Sequence, residues 1–183
     1  MSTLLVLGGA RSGKSRFAIA GPPPDARVAF VATAEARDPD MAARIARHRA
    51  DRPQRWRTVE EPVQLVACLT ELRGVVDAVI VDCLTLWVSN RLLRGDTDEA
   101  IFEEGARLAA LVRQQHYDLT LVSNEVGKGV HPETAAGLRF RDLLGLVNQT
   151  VAAACDRVVL MVAGLPLTVK APPPAHDFAA QAP

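Results

Sequence analysis

A chain of 183 residues is long enough for one domain with a substantial core. Its 21 basic and 21 acidic residues cancel, which argues against a nucleic-acid partner or an anionic membrane surface. No apolar run reaches the ~18 residues of a membrane span, and the chain enters its first strand at once, with no signal peptide expected. Cys68, Cys83 and Cys155 have neither paired nor C-x-x-C spacing and read as buried thiols of a cytoplasmic protein.

In chain order, Thr3–Leu7 is an apolar run that reads as a buried strand. Gly8, Gly9, Ala10, Arg11, Ser12, Gly13, Lys14 and Ser15 follow it and fit the pattern G-x-x-x-x-G-K-[ST]. Glycines there let successive backbone N–H groups curl round a phosphate. Lys14 carries a cation to the β- and γ-phosphates, and Ser15 offers a hydroxyl to Mg²⁺. A helix over Lys14–Ala20 points its positive end at the same anion. Lys14, Lys128 and Lys170 are the only lysines, which makes one at this place in the pattern informative. The loop predicts a nucleoside triphosphate ligand.

Further strands are expected at Arg27–Thr33, Asp77–Asp82, Asp118–Asn124 and Arg157–Val162. Helices are expected at Asp40–Asp51, Pro62–Leu72, Leu84–Leu93, Thr97–Gln115 and Ala135–Ala154. The strands are near-continuous in Val, Ile and Leu, as strands buried on both faces are. In the last helix, Phe140, Leu143, Leu144, Val147 and Val151 recur at helical spacing and mark one core-facing stripe. Alternating strands and helices with right-handed crossovers predict a three-layer α/β fold, with ligands at the carboxyl ends of the strands. One nucleotide-binding catalytic domain over residues 1–170 is expected, then a disordered Pro- and Ala-rich tail over 171–183.

Asp82 ends the run Ala78-Val79-Ile80-Val81, where an acidic residue can hold Mg²⁺ opposite a phosphate loop. The competing reading is a cap for the helix that starts near Leu84. A second region, Met41 to Pro53, reads as a helix stopped by proline. Met41 and Ile45 lie on its apolar face and His48 at the edge of that face, with Arg44 and Arg52 four residues to either side. Flanking guanidinium groups disfavour a charged imidazole and would gather triphosphate oxygens. A neutral imidazole in that setting suits a covalent phospho- or nucleotidyl-histidine, while an ordinary solvated helix face fits the spacing too. His116 reads as a helix C-terminal residue, His131 lies in the loop Glu125–Glu133, and His176 lies in the tail. Trp56 and Trp87 read as packing residues, and no zinc-ligand spacing is present.

A set of segments then adds up to a resemblance. They are residues 8–15, Ala32-Thr33-Ala34, Met41–Ile45 with His48, Arg52-Pro53, Trp56-Arg57-Thr58 and Asp82-Cys83-Leu84-Thr85 with Asn90. Ser123-Asn124-Glu125-Val126-Gly127, Phe140-Arg141-Asp142 and Val147-Asn148-Gln149 follow. From about residue 3 to 170 the chain resembles the bifunctional adenosylcobinamide kinase/adenosylcobinamide-phosphate guanylyltransferase family of cobalamin biosynthesis. The resemblance implies a P-loop, RecA-like α/β fold assembled as a homotrimer. It implies phosphoryl transfer from ATP or GTP to adenosylcobinamide, then transfer of GMP from GTP to adenosylcobinamide phosphate through a guanylyl-histidine. It puts that histidine at His48 and nucleotide contacts at Gly8–Ser15, Ala32, Thr33, Ala34, Arg49, Ala50, Asp51, Arg52, Glu60 and Asp82. Since Glu61 follows Glu60, the contact could fall on either carboxylate. Arg47 stands where some members carry a second histidine.

Two rivals remain at this point. One is a plain P-loop small-molecule kinase with a structural His48, distinguished by whether GTP labels the protein. The other is a RecA-like regulatory or nucleic-acid-dependent NTPase, which the charge balance disfavours.

Overall fold

A computed structural model describes residues 1–129 and 131–171. The expected disordered tail, Ala171 apart, lies outside the described residues together with His176. The elements run β1 (Thr3–Gly8), α1 (Lys14–Ile19), β2 (Val28–Ala32), α2 (Pro39–Ala50), β3 (Arg57–Glu60), α3 (Leu65–Glu71) and β4 (Ala78–Asp82). Then come α4 (Leu84–Leu93), α5 (Asp98–Gln114), β5 (Asp118–Val122), α6 (Ala135–Ala154), β6 (Arg157–Val162) and β7 (Leu165–Lys170).

The strands form a seven-stranded sheet in the order β3-β2-β4-β5-β1-β6-β7. All neighbours are parallel except β6 and β7. Side chains alternate across it, so each buried strand feeds two cores. In β4, Val79 and Val81 join Trp87, Leu108 and Leu144 beneath α3, α4, α5 and α6. Ala78 and Ile80 face the other way, toward Phe30, Trp56 and Ala18 of α1. Trp87 is fully buried, and its indole N–H donates to the Val63 carbonyl at 2.8 Å, which satisfies its polar atom.

Two strands escape the sequence reading. β3 (Arg-Thr-Val-Glu) is a short edge strand with a single apolar residue, so it shows no buried run. β7 contains Pro166, which reads as a strand breaker but is tolerated at an edge. A tight hairpin brings β7 back along β6, with positive φ at both Ala163 (52°) and Gly164 (84°), the combination a type I′ turn uses. The α3 helix also starts later than expected, at Leu65. Glu61 folds back and accepts from the Val63 and Gln64 N–H groups at 2.8 and 2.6 Å, which turns the chain first.

Register brings the candidate residues to one edge. Ala32 pairs with Glu60 on one side and Asp82 on the other, and Asp82 pairs in turn with Val122. Val122 is also level with Val6 of β1, two residues before Gly8.

Candidate functional site

At the end of β1 the chain makes a turn that only small residues permit. Gly8 has φ of 152°, and a Cβ there would lie 2.7 Å from the Met161 carbonyl oxygen and 2.6 Å from Ser12 Oγ. Gly13 is left-handed (φ 94°) at the N-cap of α1, and Arg11 also has positive φ (56°). The loop is pinned from outside, since Gly164 N–H donates to the Ser12 carbonyl at 3.1 Å. Lys14 is only 8 % exposed. Its ammonium donates to the Gly9 carbonyl at 2.6 Å and reaches Ser12 Oγ at 3.4 Å. Burial lowers the Lys14 pKa and nearby Arg44 adds to this, while the Asp82 carboxylate opposes it. Lys14, Asp82 and Arg44 therefore share one electrostatic neighbourhood, although they come from three different elements.

Asp82 is half-buried at the tip of β4. It is not the cap of α4: the N-cap residue is Cys83, and no side chain makes a capping bond there. Helix α1, which carries Ser15 in its first turn, packs against β1, β5 and β4. A serine hydroxyl and a carboxylate are both oxygen donors. That donor set suits Mg²⁺, which keeps waters and takes phosphate oxygens for its remaining positions.

Thr33 sits behind this edge. It is fully buried, and its hydroxyl donates to the Cys83 carbonyl at 2.7 Å while accepting from the Cys83 N–H at 2.8 Å. Its own N–H donates to the Asp82 carbonyl, and its carbonyl accepts from Asn90 Nδ2 at 2.7 Å. Every polar group of Thr33 is thus engaged in locking β2 to the β4–α4 junction. Its neighbours Ala32 and Ala34, not Thr33, line the cavity beside it.

That cavity has a volume of about 570 Å³ and includes Ala34, Ile45, Arg49, Arg52, Glu60 and Pro62 among its walls. Glu60 faces it across an exposed, 3.8 Å ion pair with Arg49, a contact weak enough to open for a ligand. Glu61 is occupied by the turn before α3, so of the two adjacent carboxylates Glu60 is the one on the cavity wall.

The α2 helix differs from the sequence reading at its end. Asp38 caps its start, accepting from the Met41 N–H at 2.7 Å, and Pro39 occupies the first turn. It stops at Ala50, with Asp51 as C-cap, because Pro53 disfavours helical geometry at Arg52. Arg52 is therefore not a helical neighbour of His48. It turns inward, stacking its guanidinium 3.7 Å from the centre of the Phe30 ring, and burial lowers its pKa while Asp82 opposes the shift. Met41, Ile45 and His48 are the half-buried residues along α2, while Arg44, Arg47 and Arg49 are exposed. His48 thus lies on the inward stripe, one turn beyond the cavity-lining Ile45.

From the sequence, the loop Glu125–Glu133 after β5 is expected only as one that could close over a site. There the Glu125 N–H donates to the Gly8 carbonyl at 3.1 Å, which ties the Glu125 backbone to the phosphate loop. Ser123 beside it is fully buried, and its hydroxyl has no partner among the described residues.

A glycine loop with a buried lysine after β1, and an acidic tip two strands away on the same edge of a mostly parallel sheet, define a P-loop nucleotide-binding protein. A solved structure described as a prototypical ATPase from the type III secretion system of pathogenic bacteria aligns with a TM-score of 0.57. It covers 91 % of this chain and 56 % of its own at 11 % identity, a likeness of fold alone. Residues 4–169 match the family described as cobinamide kinase / cobinamide phosphate guanyltransferase, and the chain belongs to that family. The bifunctional adenosylcobalamin biosynthesis protein CobP of Pseudomonas aeruginosa is 44 % identical over 170 residues, covering 92 % of this chain and 98 % of the relative. The CobU protein of Salmonella typhimurium, described in the same words, is 40 % identical and covers 91 % and 99 %.

Proposed function

We propose that the chain phosphorylates adenosylcobinamide with ATP or GTP and then transfers GMP from GTP to the resulting adenosylcobinamide phosphate through a guanylyl-histidine on His48. The product is adenosylcobinamide-GDP. The observation that carries this reading is the juxtaposition of two anion-gathering regions on one sheet edge. The phosphate loop lies at β1, and the cavity bounded by Arg49 and Arg52 lies at β2 and β3. Family membership supplies the substrate class.

In the first step the loop N–H groups and Lys14 hold the β- and γ-phosphates in line with the acceptor hydroxyl. Mg²⁺ held by Ser15 and Asp82 would neutralise charge on the triphosphate. In the second step a neutral ring nitrogen of His48 attacks the α-phosphorus of GTP. A P–N bond forms, the bond to the β-phosphate oxygen breaks, and pyrophosphate leaves past Arg44 and Arg49. A phosphate oxygen of adenosylcobinamide phosphate then displaces the histidine, closing the diphosphate. Ala32, Ala34, Glu60 and Arg52 surround the nucleoside portion of GTP, and Ala50 and Asp51 hold the chain between His48 and Arg52.

We also propose a cytoplasmic homotrimer. The edge strand β7 exposes Leu165, Leu167 and Val169 along one face, apolar surface that a second copy would cover. The three cysteines are buried and free, as a reducing compartment allows, and no described helix is long and apolar enough to cross a membrane. The test is direct. Purified protein given adenosylcobinamide, Mg²⁺ and GTP should yield both the phosphate and the GDP ester by mass spectrometry. Formation of the phosphate alone would support a plain kinase instead.

A further inference from the structure

We propose that Glu125 is the catalytic base of the phosphoryl-transfer step, taking the hydroxyl proton of the acceptor; the inference rests on the kinase reading above. Four features of the β5 tip support it.

The first is position. β5 lies between β1, which ends in the phosphate loop, and β4, which ends in Asp82. Val122 is in register with Val6 and with Asp82, so the residues after it emerge between the loop and the acidic tip. Glu125 is joined to the loop itself, because its N–H donates to the carbonyl of Gly8 at 3.1 Å.

The second is rigidity. Asn124, the residue before it, is held on both backbone groups from two different helices. Its N–H donates to Thr85 Oγ1 of α4 at 2.8 Å, and its carbonyl accepts from Asn148 Nδ2 of α6 at 3.1 Å. Ser123 N–H is bonded in turn to the Val6 carbonyl at 2.9 Å. Three successive residues are therefore fixed to three separate parts of the fold, which is the preorganisation a proton-transfer group needs.

The third is availability. Other carboxylates near this edge are committed. Glu61 closes the turn before α3 and Glu35 receives Arg37 and Arg94, while Glu60 lies on the separate cavity wall at the end of β3. Asp82 is the metal candidate. The Glu125 carboxylate is half-buried and has no hydrogen bond or ion pair among the described residues. Its Oε1 lies 3.6 Å from where a Cβ would stand on Gly127, an ordinary van der Waals distance.

The fourth is chemical need, which separates the two reactions. An alcohol must lose its proton as its oxygen attacks the γ-phosphorus. The new O–P bond forms, the bond from the γ-phosphorus to the bridging oxygen breaks, and nucleoside diphosphate leaves. The proton passes to Glu125 and then to water. The acceptor of the guanylyl step is a phosphate monoester, with a second pKa of about 6, already ionised at neutral pH. It requires no base.

The test compares wild-type protein with Glu125→Gln in two separate assays: adenosylcobinamide with ATP, and adenosylcobinamide phosphate with GTP. The expected result is a fall in kinase kcat of about 10²- to 10⁴-fold. Nucleotide KM and guanylyl transfer should stay within about threefold of wild type. Kinase kcat within about threefold of wild type would overturn the proposal. Equal loss of both activities would also overturn it, by placing Glu125 in the shared triphosphate site. Should the Gln variant fail to fold, as judged by thermal unfolding and GTP binding, Glu125→Asp serves with the same criteria and a smaller drop. Absence of kinase activity in the wild type would contradict the functional reading itself and not the role of Glu125.

Discussion

The phosphate loop and the arginine helix α2 sit on the same sheet edge but are built in opposite ways. The loop is an extension of the core: Gly8 is packed against Met161, Lys14 is buried, and the loop is bonded to the β6–β7 turn and to the tip of β5. The α2 helix has no buried residue at all. Met41, Ile45 and His48 are its half-buried residues, Arg49 pairs with Glu60 of β3, and its start rests on the Asp38 cap. A helix of that kind gains little from packing, so its capping and end geometry carry a larger share of its stability. The lesson is that the phosphate loop is fixed by the fold, whereas the α2 region, proposed to serve the guanylyl step, hangs on local interactions that single substitutions can tune.

The most damaging change should be Lys14→Ala. It removes the buried cation from the loop proposed to serve both reactions, so kinase and guanylyl turnover should each fall by about two orders of magnitude or more, with weakened GTP binding. Titration calorimetry and paired turnover assays check this, and normal GTP affinity would break the idea of one shared site. Next comes Thr33→Val, a change on the fold side of the comparison. It removes the two hydrogen bonds that the Thr33 hydroxyl makes with the Cys83 backbone, so it should cost about 1–3 kcal/mol of unfolding free energy in a urea titration. Both activities should drop together.

Asp38→Ala acts on the other side. Losing the α2 cap should cost about 1 kcal/mol locally and lower guanylyl transfer several-fold more than the kinase rate. An equal fall in both would show that α2 serves the two steps alike. The smallest effect is electrostatic. Burial pushes the Cys83 thiol up to about 11 and Cys155 up to about 12. The native state keeps these protons above pH 9 while the unfolded chain, with ordinary thiols, releases them. The stability they contribute is complete below the unfolded value and is lost as pH rises toward 11, so urea midpoints should decline over that range. Cys155→Ala should flatten the decline.

Much of the fold was legible because its strands are apolar runs that need no partner to be recognised. Leu84–Leu93, Ala135–Ala154 and Arg157–Val162 fall where pattern alone puts them. β3 and β7 were not legible, since edge strands need not be apolar and may hold a proline. At the site, the loop announced itself by spacing. Arg52 did not: helical arithmetic continued through a residue that the following proline removes from the helix, and only the tertiary structure shows it over Phe30. Thr33 looked like a ligand contact by likeness, yet its hydroxyl is fully used by Cys83, a residue 50 positions away. The role of Glu125 depends on which strand stands between β1 and β4, and strand order is not written in any local pattern.

The most direct test of the central claim uses GTP labelled on its α-phosphate. Protein incubated with it and Mg²⁺, then denatured, should keep a label that acid removes and base does not, as a phosphoramidate behaves. The label should disappear in His48→Asn, while that variant keeps its kinase activity. Protein that binds GTP and phosphorylates adenosylcobinamide yet takes up no label, or a His48→Asn variant that still takes it up, would contradict the account.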